Sequence, residues 1–173
     1  MLINSISEYF KIYKYLSIYQ SNENVHGFKN VIYLSNKKTE TTISKNTNYI
    51  TFTNYDYKKQ LEIFNDKINN PLNFPHQLFI EVERIINLSD IDFKVIEHVQ
   101  QTICIKATIS KDDYIKKVNN LKQHIQQGDI YEINYCITFE AHDAHINPLA
   151  IYQKLNNISN APYSALGKFD KQY

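Results

Sequence analysis

The sequence predicts an α+β fold of mostly antiparallel sheets with helices on the outside. One observation behind this is a change in hydrophobic period. Apolar residues at steps of four, three and four predict a helix up to Gly128, and alternation with a period of two follows it. Short strand candidates at Val31–Leu34 and Tyr49–Thr53 supply the sheet. With 173 residues, 43% of them hydrophobic, the chain is long enough to bury a core.

The helix before Gly128 carries signals at both ends. Ser110-Lys111-Asp112-Asp113 matches a capping box, with Asp113 in place of the usual Glu or Gln. Gly128 is typical of the left-handed residue that ends a helix. The apolar stripe between them consists of Tyr114, Val118, Leu121 and Ile125.

The alternating segment from Tyr131 to Glu140 predicts a strand, with Glu132 and Asn134 on its polar face. Asn147-Pro148 predicts a helix start, because proline is favoured at the first helical position. Leu149, Tyr152 and Leu155 are expected to form the apolar side of that helix. A strand is predicted over Tyr163–Leu166 and a hairpin turn over Gly167–Asp170.

The first half of the chain is less sharply patterned. Helical spacing predicts an N-terminal helix over Ile6–Tyr19, and Lys58–Phe64 is compatible with a short one. Leu78–Leu88 predicts a strand, and Lys94–Ile109 predicts one or two more.

The composition excludes several classes of protein. The net charge is +1, from 19 basic and 18 acidic residues, so no global field favours nucleic acid or an anionic membrane. We find no apolar run of about 20 residues that would span a membrane, and no secretory signal. We therefore expect a cytoplasmic protein. Cys104 and Cys136 lie in strand-like runs without metal-ligand spacing, which predicts buried free thiols.

Glu132 and Asn134 form the most informative polar pair. On a strand they would point the same way, about 6.5 to 7 Å apart. They could line a ligand cavity in which the carboxylate accepts a proton or acts electrostatically. The alternative is that this face of the strand simply meets water, as in many antiparallel sheets.

Two further motifs contain residue types found in binding sites, one for a metal and one for a small molecule. His142-Asp143-Ala144-His145 lacks a third ligand at recognisable spacing, so we expect an exposed loop and no metal site. Asn160-Ala161-Pro162-Tyr163 could form the lip of a small-molecule pocket, since Pro162 fixes the backbone and Tyr163 offers a rigid aromatic wall. The alternative is a loop that enters a strand with a core tyrosine.

Together, the segments Tyr114–Gln127, Gly128–Tyr135 and Asn160–Ser164 resemble the start of a chorismate-binding enzyme domain. Within that family they look most like component I of aminodeoxychorismate synthase, in the para-aminobenzoate and folate branch. Weaker likenesses precede them at Tyr33–Asn36, Thr53–Tyr57 and Phe74-Pro75. By this resemblance, residues 1–109 are the N-terminal part of the fold and residues 110–173 begin the chorismate-binding region.

The resemblance implies two large antiparallel sheets packed on one another, Mg²⁺-dependent chemistry on chorismate, and ammonia from a glutamine amidotransferase partner. Glu132 matches a position that carries lysine in isochorismate-forming relatives and often glutamine in ammonia-using ones. It would be an active-site wall, and Asn134 would contact substrate. Ser35 and Pro162-Tyr163-Ser164 would form an aromatic-effector pocket.

The family's Ser-Pro-Glu-Arg-Phe segment, its Pro-Ile-Lys-Gly-Thr segment with the nucleophilic lysine, and its acidic Mg²⁺ ligands do not occur in these 173 residues. We therefore expect an N-terminal fragment that is itself inactive and binds no metal. The alternatives are a fragment of anthranilate synthase component I, a stand-alone module that binds an aromatic ligand, and an unrelated domain whose likeness is accidental.

Overall fold

The computed structural model describes residues 5–23, 27–39, 47–63, 72–93 and 102–173. The chain divides into unit 1, residues 1–97 and 147–173, and unit 2, residues 98–146. Among the described residues, no helix is long and apolar enough to cross a membrane.

Helices and strands alternate irregularly along the chain. The helices are α1 (Ile6–Ile12), α2 (Lys58–Leu61), α3 (Lys111–Gln127) and α4 (Pro148–Ser159). The strands are β1 (Tyr15–Gln20), β2 (Val31–Ser35), β3 (Lys38–Thr39), β4 (Tyr49–Thr53), β5 (Gln77–Glu81), β6 (Arg84–Asn87), β7 (Lys106–Ala107), β8 (Phe139–Glu140) and β9 (Ser164–Phe169).

Unit 1 is built on two antiparallel sheets, with strand orders β6-β2-β1-β9 and β3-β5-β4. Leu16 and Ile18 of β1 point to one face of the first sheet and pack with Ile6 and Tyr9 of α1 and with residues of α4. The other face meets the second sheet, whose buried residues are Ile50, Leu78 and Ile80. Every ladder between described strands is antiparallel, and the predicted α+β class is confirmed.

Unit 2 contains β7, α3 and β8, and none of its described residues (102–146) is buried. The predicted caps of α3 are confirmed: Ser110 Oγ accepts from Asp113 N at 3.1 Å, and Gly128 has φ 82°. The Tyr135 ring stacks on the Tyr114 ring with centroids 5.5 Å apart. The helix is therefore defined by its own ends rather than by a core.

The strand predicted over Tyr131–Glu140 is wrong for most of its length. Only Phe139 and Glu140 pair, with Ala107 and Lys106. An alternating pattern forms a strand only where a neighbouring strand pairs with it, and the partner here, β7, is two residues long. The prediction of buried thiols fails with it, because Cys136 lies in this irregular segment, and both cysteines are exposed.

Other element boundaries also shift. The N-terminal helix ends at Ile12, and residues 15–20 form β1, whose Leu16 and Ile18 pack against α1 itself. The strand predicted over Leu78–Leu88 is interrupted at Val82-Glu83 and forms β5 and β6 in different sheets. Of the segment Lys94–Ile109, residues 94–101 lie outside the described residues, and Lys106–Ala107 is a strand.

The C-terminal elements follow the prediction more closely. Asn147 caps α4 by accepting from Leu149 N at 3.1 Å, and Pro148 is its first residue. Gly167 remains inside β9, and the reversal lies at Asp170-Lys171, where Phe169 and Gln172 exchange backbone hydrogen bonds of 2.8 and 3.1 Å.

Candidate functional site

The predicted site residues fall into both units. Glu132 and Asn134 belong to unit 2, whereas Ser35 and residues 162–164 belong to unit 1.

Glu132 and Asn134 are exposed and lie outside any described strand. Their neighbours Tyr131 and Ile133 are 96% and 45% exposed, so no buried face opposes the polar one.

Among the described residues there is no group of three or more His, Cys, Asp or Glu side chains that could hold a metal ion. His142 contacts Glu140 at 3.5 Å and is largely exposed.

The segment Ala161–Ser164, here called the lip, lies between α4 and β9. Asn160 ends α4 in the left-handed conformation, with φ 45°. Pro162 and Tyr163 are exposed, and Tyr163 lies edge-on to the Phe28 ring at 5.2 Å. An aromatic ring thus stands at the surface on a backbone that both flanking elements hold.

Hydroxyl groups hold the C-terminal end of the lip. Ser164 Oγ donates to Gln20 O at 3.1 Å and is hydrogen-bonded to Tyr152 Oη at 3.0 Å. Tyr152 also donates to Gln20 Oε1 at 3.3 Å. Burial raises the pKa of the Tyr152 phenol, and its hydrogen bond to Ser164 opposes that change. Tyr152 is therefore a neutral link between α4, β1 and β9.

A pair of amides holds the other end. Asn22 Nδ2 donates to Asn156 Oδ1 at 2.7 Å and to Ala161 O at 2.9 Å, while Asn156 Nδ2 donates back to Asn22 Oδ1 at 3.3 Å. Asn156 is 7% exposed, whereas Leu155, expected on the apolar side of α4, is 60% exposed. That expectation for Leu155 was wrong because the buried side of α4 carries Leu149, Tyr152 and Asn156, at steps of three and four, and Leu155 lies beside it.

Ser35 lies far from the lip along the sheet. It pairs with Tyr15, at one end of β1, and Ser164 pairs with Gln20, at the other end. Five steps of strand correspond to about 17 Å. Ser35 is fully buried and accepts from Lys37 N at 3.0 Å. The structure thus brings Pro162, Tyr163 and Ser164 together but does not bring Ser35 to them.

Next to the lip, unit 1 has a groove of about 390 Å³. Its lining is largely aromatic and aliphatic, with one cation, and comprises Tyr19, Gly27, Phe28, Lys29, Val31, Tyr33, Tyr49 and Ile50. The Tyr19 and Tyr33 rings pack edge to face, with their centroids 5.7 Å apart. Phe28 joins the groove to Tyr163.

This groove was not predicted from the sequence. Tyr15, Ser17 and Tyr19 alternate along β1 and Val31, Tyr33 and Ser35 along β2, so a strand assignment for β1 would have predicted the aromatic face. The helical assignment over Ile6–Tyr19 hid that signal.

Comparison with known proteins identifies the family. The model of the chorismate binding enzyme family matches residues 8–173, nearly the whole chain. The chain belongs to the chorismate-binding enzyme family. The resemblance drawn from the residues is confirmed at this level.

One relative of this chorismate-binding chain is the anthranilate synthase alpha subunit 2, chloroplastic, of Oryza sativa subsp. japonica. The two are 35% identical over 60 residues, which is 35% of this chain and 10% of the rice protein. The matched segment therefore spans about a tenth of that relative.

Proposed function

We propose that this chain is the N-terminal portion of an enzyme that aminates chorismate, most like component I of aminodeoxychorismate synthase. The observation that carries the proposal is the family match over residues 8–173. The branch rests on the resemblance of Gly128–Tyr135 and Asn160–Ser164 to the aminodeoxychorismate synthases. In that reaction ammonia replaces the 4-hydroxyl of chorismate, and water leaves.

Anthranilate synthesis is the second candidate, and the rice relative favours it by its name. The two products differ in one chemical respect. Anthranilate lacks the enolpyruvyl side chain of chorismate, so its formation releases pyruvate. Aminodeoxychorismate retains that side chain. A pyruvate assay therefore distinguishes the candidates.

The cofactor and partner also follow from the resemblance. We infer that the parent enzyme uses Mg²⁺ and takes ammonia from a glutamine amidotransferase subunit in the cytoplasm. The resemblance assigns the metal ligands and the nucleophilic lysine to segments that these 173 residues do not contain. Glu132 and Asn134 would then line the active site as a wall and a substrate contact.

The first experiment is to read the gene past codon 173 and express the whole reading frame. With chorismate, ammonium and Mg²⁺, we expect consumption of chorismate and a product that retains the enolpyruvyl group. Stoichiometric pyruvate would instead assign the anthranilate branch. No consumption by a frame that contains both family segments would refute the proposal.

The 173-residue chain alone is expected to leave chorismate unchanged under the same conditions. Turnover that depends on Mg²⁺ in the isolated chain would contradict this expectation.

We further propose that the groove beside the lip binds an aromatic amino acid as an effector. Its volume of about 390 Å³ lies within the range of roughly 300–1,000 Å³ typical of ligand pockets. Aromatic rings line the groove, and Tyr163 contacts one of them, Phe28. Lys29 supplies a positive charge for the carboxylate of the ligand. Ser35 remains a predicted effector contact, and it lies at the opposite end of β1 from the lip.

L-tryptophan is a convenient probe, because the chain contains no tryptophan. Excitation at the red edge of the indole band then reports the ligand alone. We expect saturable binding without Mg²⁺, weakened about fivefold in Tyr163→Ala, because Tyr163 packs against the lining residue Phe28 and the loss of such an aromatic pair costs about 1 kcal/mol. Tyr55→Ala is the control, since Tyr55 is 80% exposed and does not line the groove. The absence of binding to the native chain would refute the effector site.

A further inference from the structure

We propose that Asn22 and Asn156 are positioning residues that set the conformation of the lip and hence the affinity of the groove for an aromatic ligand. The affinity part of this inference rests on the effector site proposed above. The structural part concerns the lip alone and can be tested without ligand.

The two side-chain amides clasp each other across 134 residues of sequence. Each donates to the other, at 2.7 and 3.3 Å, and Asn22 Nδ2 also donates to Ala161 O at 2.9 Å. The backbone oxygen of Asn156 accepts from Asn160 N at 2.9 Å. Asn156 thus bonds through its side chain to Asn22, after β1, and through its backbone to Asn160, which ends α4.

Burial of apolar surface alone would not favour this orientation of α4 about its own axis. The helix buries Asn156 and leaves Leu155 and Ile158 60% and 82% exposed. A buried amide is unfavourable unless it is hydrogen-bonded, and a satisfied pair is directional where apolar contacts are not. We therefore attribute the rotational setting of the C-terminal end of α4 to the clasp.

Only Pro162 separates Tyr163 from the residue that the clasp holds. Ala161, whose carbonyl accepts from Asn22, directly precedes Pro162, and the proline ring fixes φ at about −65°. Ser164, after Tyr163, is held by Gln20 and Tyr152. Because both ends are held, Tyr163 is presented on a fixed backbone although its side chain is 60% exposed. Tyr163 packs against Phe28, which lines the groove, so a fixed Tyr163 preorganises that wall and reduces the entropy lost on binding.

The test uses Asn156→Leu, with Asn157→Leu as a matched control on the exposed side of the same helix. Three quantities are measured on the full chain: the melting temperature, amide hydrogen exchange at Asn160 and Ser164, at the two ends of the lip, and the dissociation constant for L-tryptophan. We expect exchange at those amides to quicken at least tenfold in Asn156→Leu, with exchange in β1 and β2 unchanged, and the dissociation constant to rise about fivefold. Asn157→Leu should change neither.

Asn22→Ala provides a second variant in case Asn156→Leu does not fold, because it removes the bonds to Asn156 and Ala161 without changing the sequence of α4. Equal exchange at the lip in native and variant chains would overturn the proposal, and so would acceleration spread evenly over unit 1. If the native chain binds no tryptophan, the effector site fails, and the lip exchange still decides the clasp. If it binds and the variants bind equally well, the positioning role fails and the effector site stands.

Discussion

Lys168 is a buried lysine near the C-terminal end of β9, 8% exposed. Its Nζ donates to the backbone oxygens of Phe10 and, at 2.8 Å, of Tyr13, and it lies 5.0 Å from the Phe10 ring centroid. Burial lowers the pKa of this ammonium, while the Asp170 carboxylate opposes that change. The side chain thus satisfies carbonyl groups at the C-terminal end of α1, where a positive charge is favoured.

Replacing Lys168 by Met should lower the free energy of unfolding of unit 1. Two partly buried carbonyl oxygens would lose their donor, which costs about 1–3 kcal/mol. Urea unfolding followed by circular dichroism measures the change, and Lys171→Met in the exposed turn serves as the control. An unchanged midpoint in Lys168→Met would show that the two hydrogen bonds contribute nothing.

Glu83 makes stability sensitive to acid. Its carboxylate accepts from Asn36 N at 2.7 Å and lies 3.3 Å from Lys37 Nζ. The hydrogen bond from the Asn36 backbone is the main reason that its pKa is lowered below 4.5, helped by Lys37 and opposed by desolvation. Because the folded state favours the ionised form, the contribution is present above the ordinary pKa and is lost as pH falls through the lowered one.

Glu83→Gln should therefore be less stable than the native chain near neutral pH. The difference should shrink progressively below pH 4.5, as the native carboxyl takes up its proton. Paired melts between pH 3 and 7 would test this, with Glu62→Gln, an exposed position, as the reference. A difference that is the same at every pH would assign the effect to shape rather than to charge.

At the scale of elements, α3 depends on its C-terminal glycine. Gly128 has φ 82°, its N–H bonds to Ile125 O at 3.1 Å, and Asp129 N bonds to His124 O at 3.0 Å. A Cβ at Gly128 would meet nothing within 4 Å, so only backbone strain opposes a side chain there.

Gly128→Ala should destabilise α3 by about 1 kcal/mol, because a left-handed conformation is unfavourable for alanine. Gly128→Asn should lose less, since asparagine tolerates this region. Amide exchange in the last turn of α3 gives the measurement. Equal exchange in all three chains would mean that the helix end frays regardless of the residue at 128.

Both ends of α3 and the start of α4 were predictable because they depend on local chemistry. Ser110, Gly128, Asn147 and Pro148 each act through neighbours within a few residues, and all four lie where the sequence placed them. The strand Tyr49–Thr53 was equally clear from its composition. Such signals do not depend on which other segment lies nearby.

Features that depend on distant partners were not predictable. Residues 131–138 alternate like a strand but have no long ladder in unit 2, and residues 15–20 form β1 because β2 and β9 flank them. For the same reason the lip could be predicted from its own residues, whereas the clasp between Asn22 and Asn156 could not. The distance between Ser35 and Ser164 likewise follows from strand register alone.

At the scale of the molecule, the two units differ in what stabilises them. Unit 1 has two clusters of buried apolar side chains, and Ile6, Leu16, Ile18, Ile32, Leu34 and Ile80 have no exposed surface. In the described part of unit 2 the largest element is α3, with Tyr114 and Ile125 of its apolar stripe 37% and 39% exposed. An isolated helix of this length is marginally stable in water, because tertiary burial normally supplies most of its stability.

We therefore expect local stability to divide at the boundary between the units. In the 173-residue chain, amides of β1 and β2 should exchange only through global unfolding of unit 1, whereas amides of α3 should exchange at least a hundredfold faster through local opening. Limited proteolysis should cut first within residues 102–146 and leave unit 1 protected. Adding chorismate should change neither pattern if this chain alone does not assemble the active site. Protection of α3 equal to that of β1 would show that unit 2 gains stability from packing, and the separation would then be wrong.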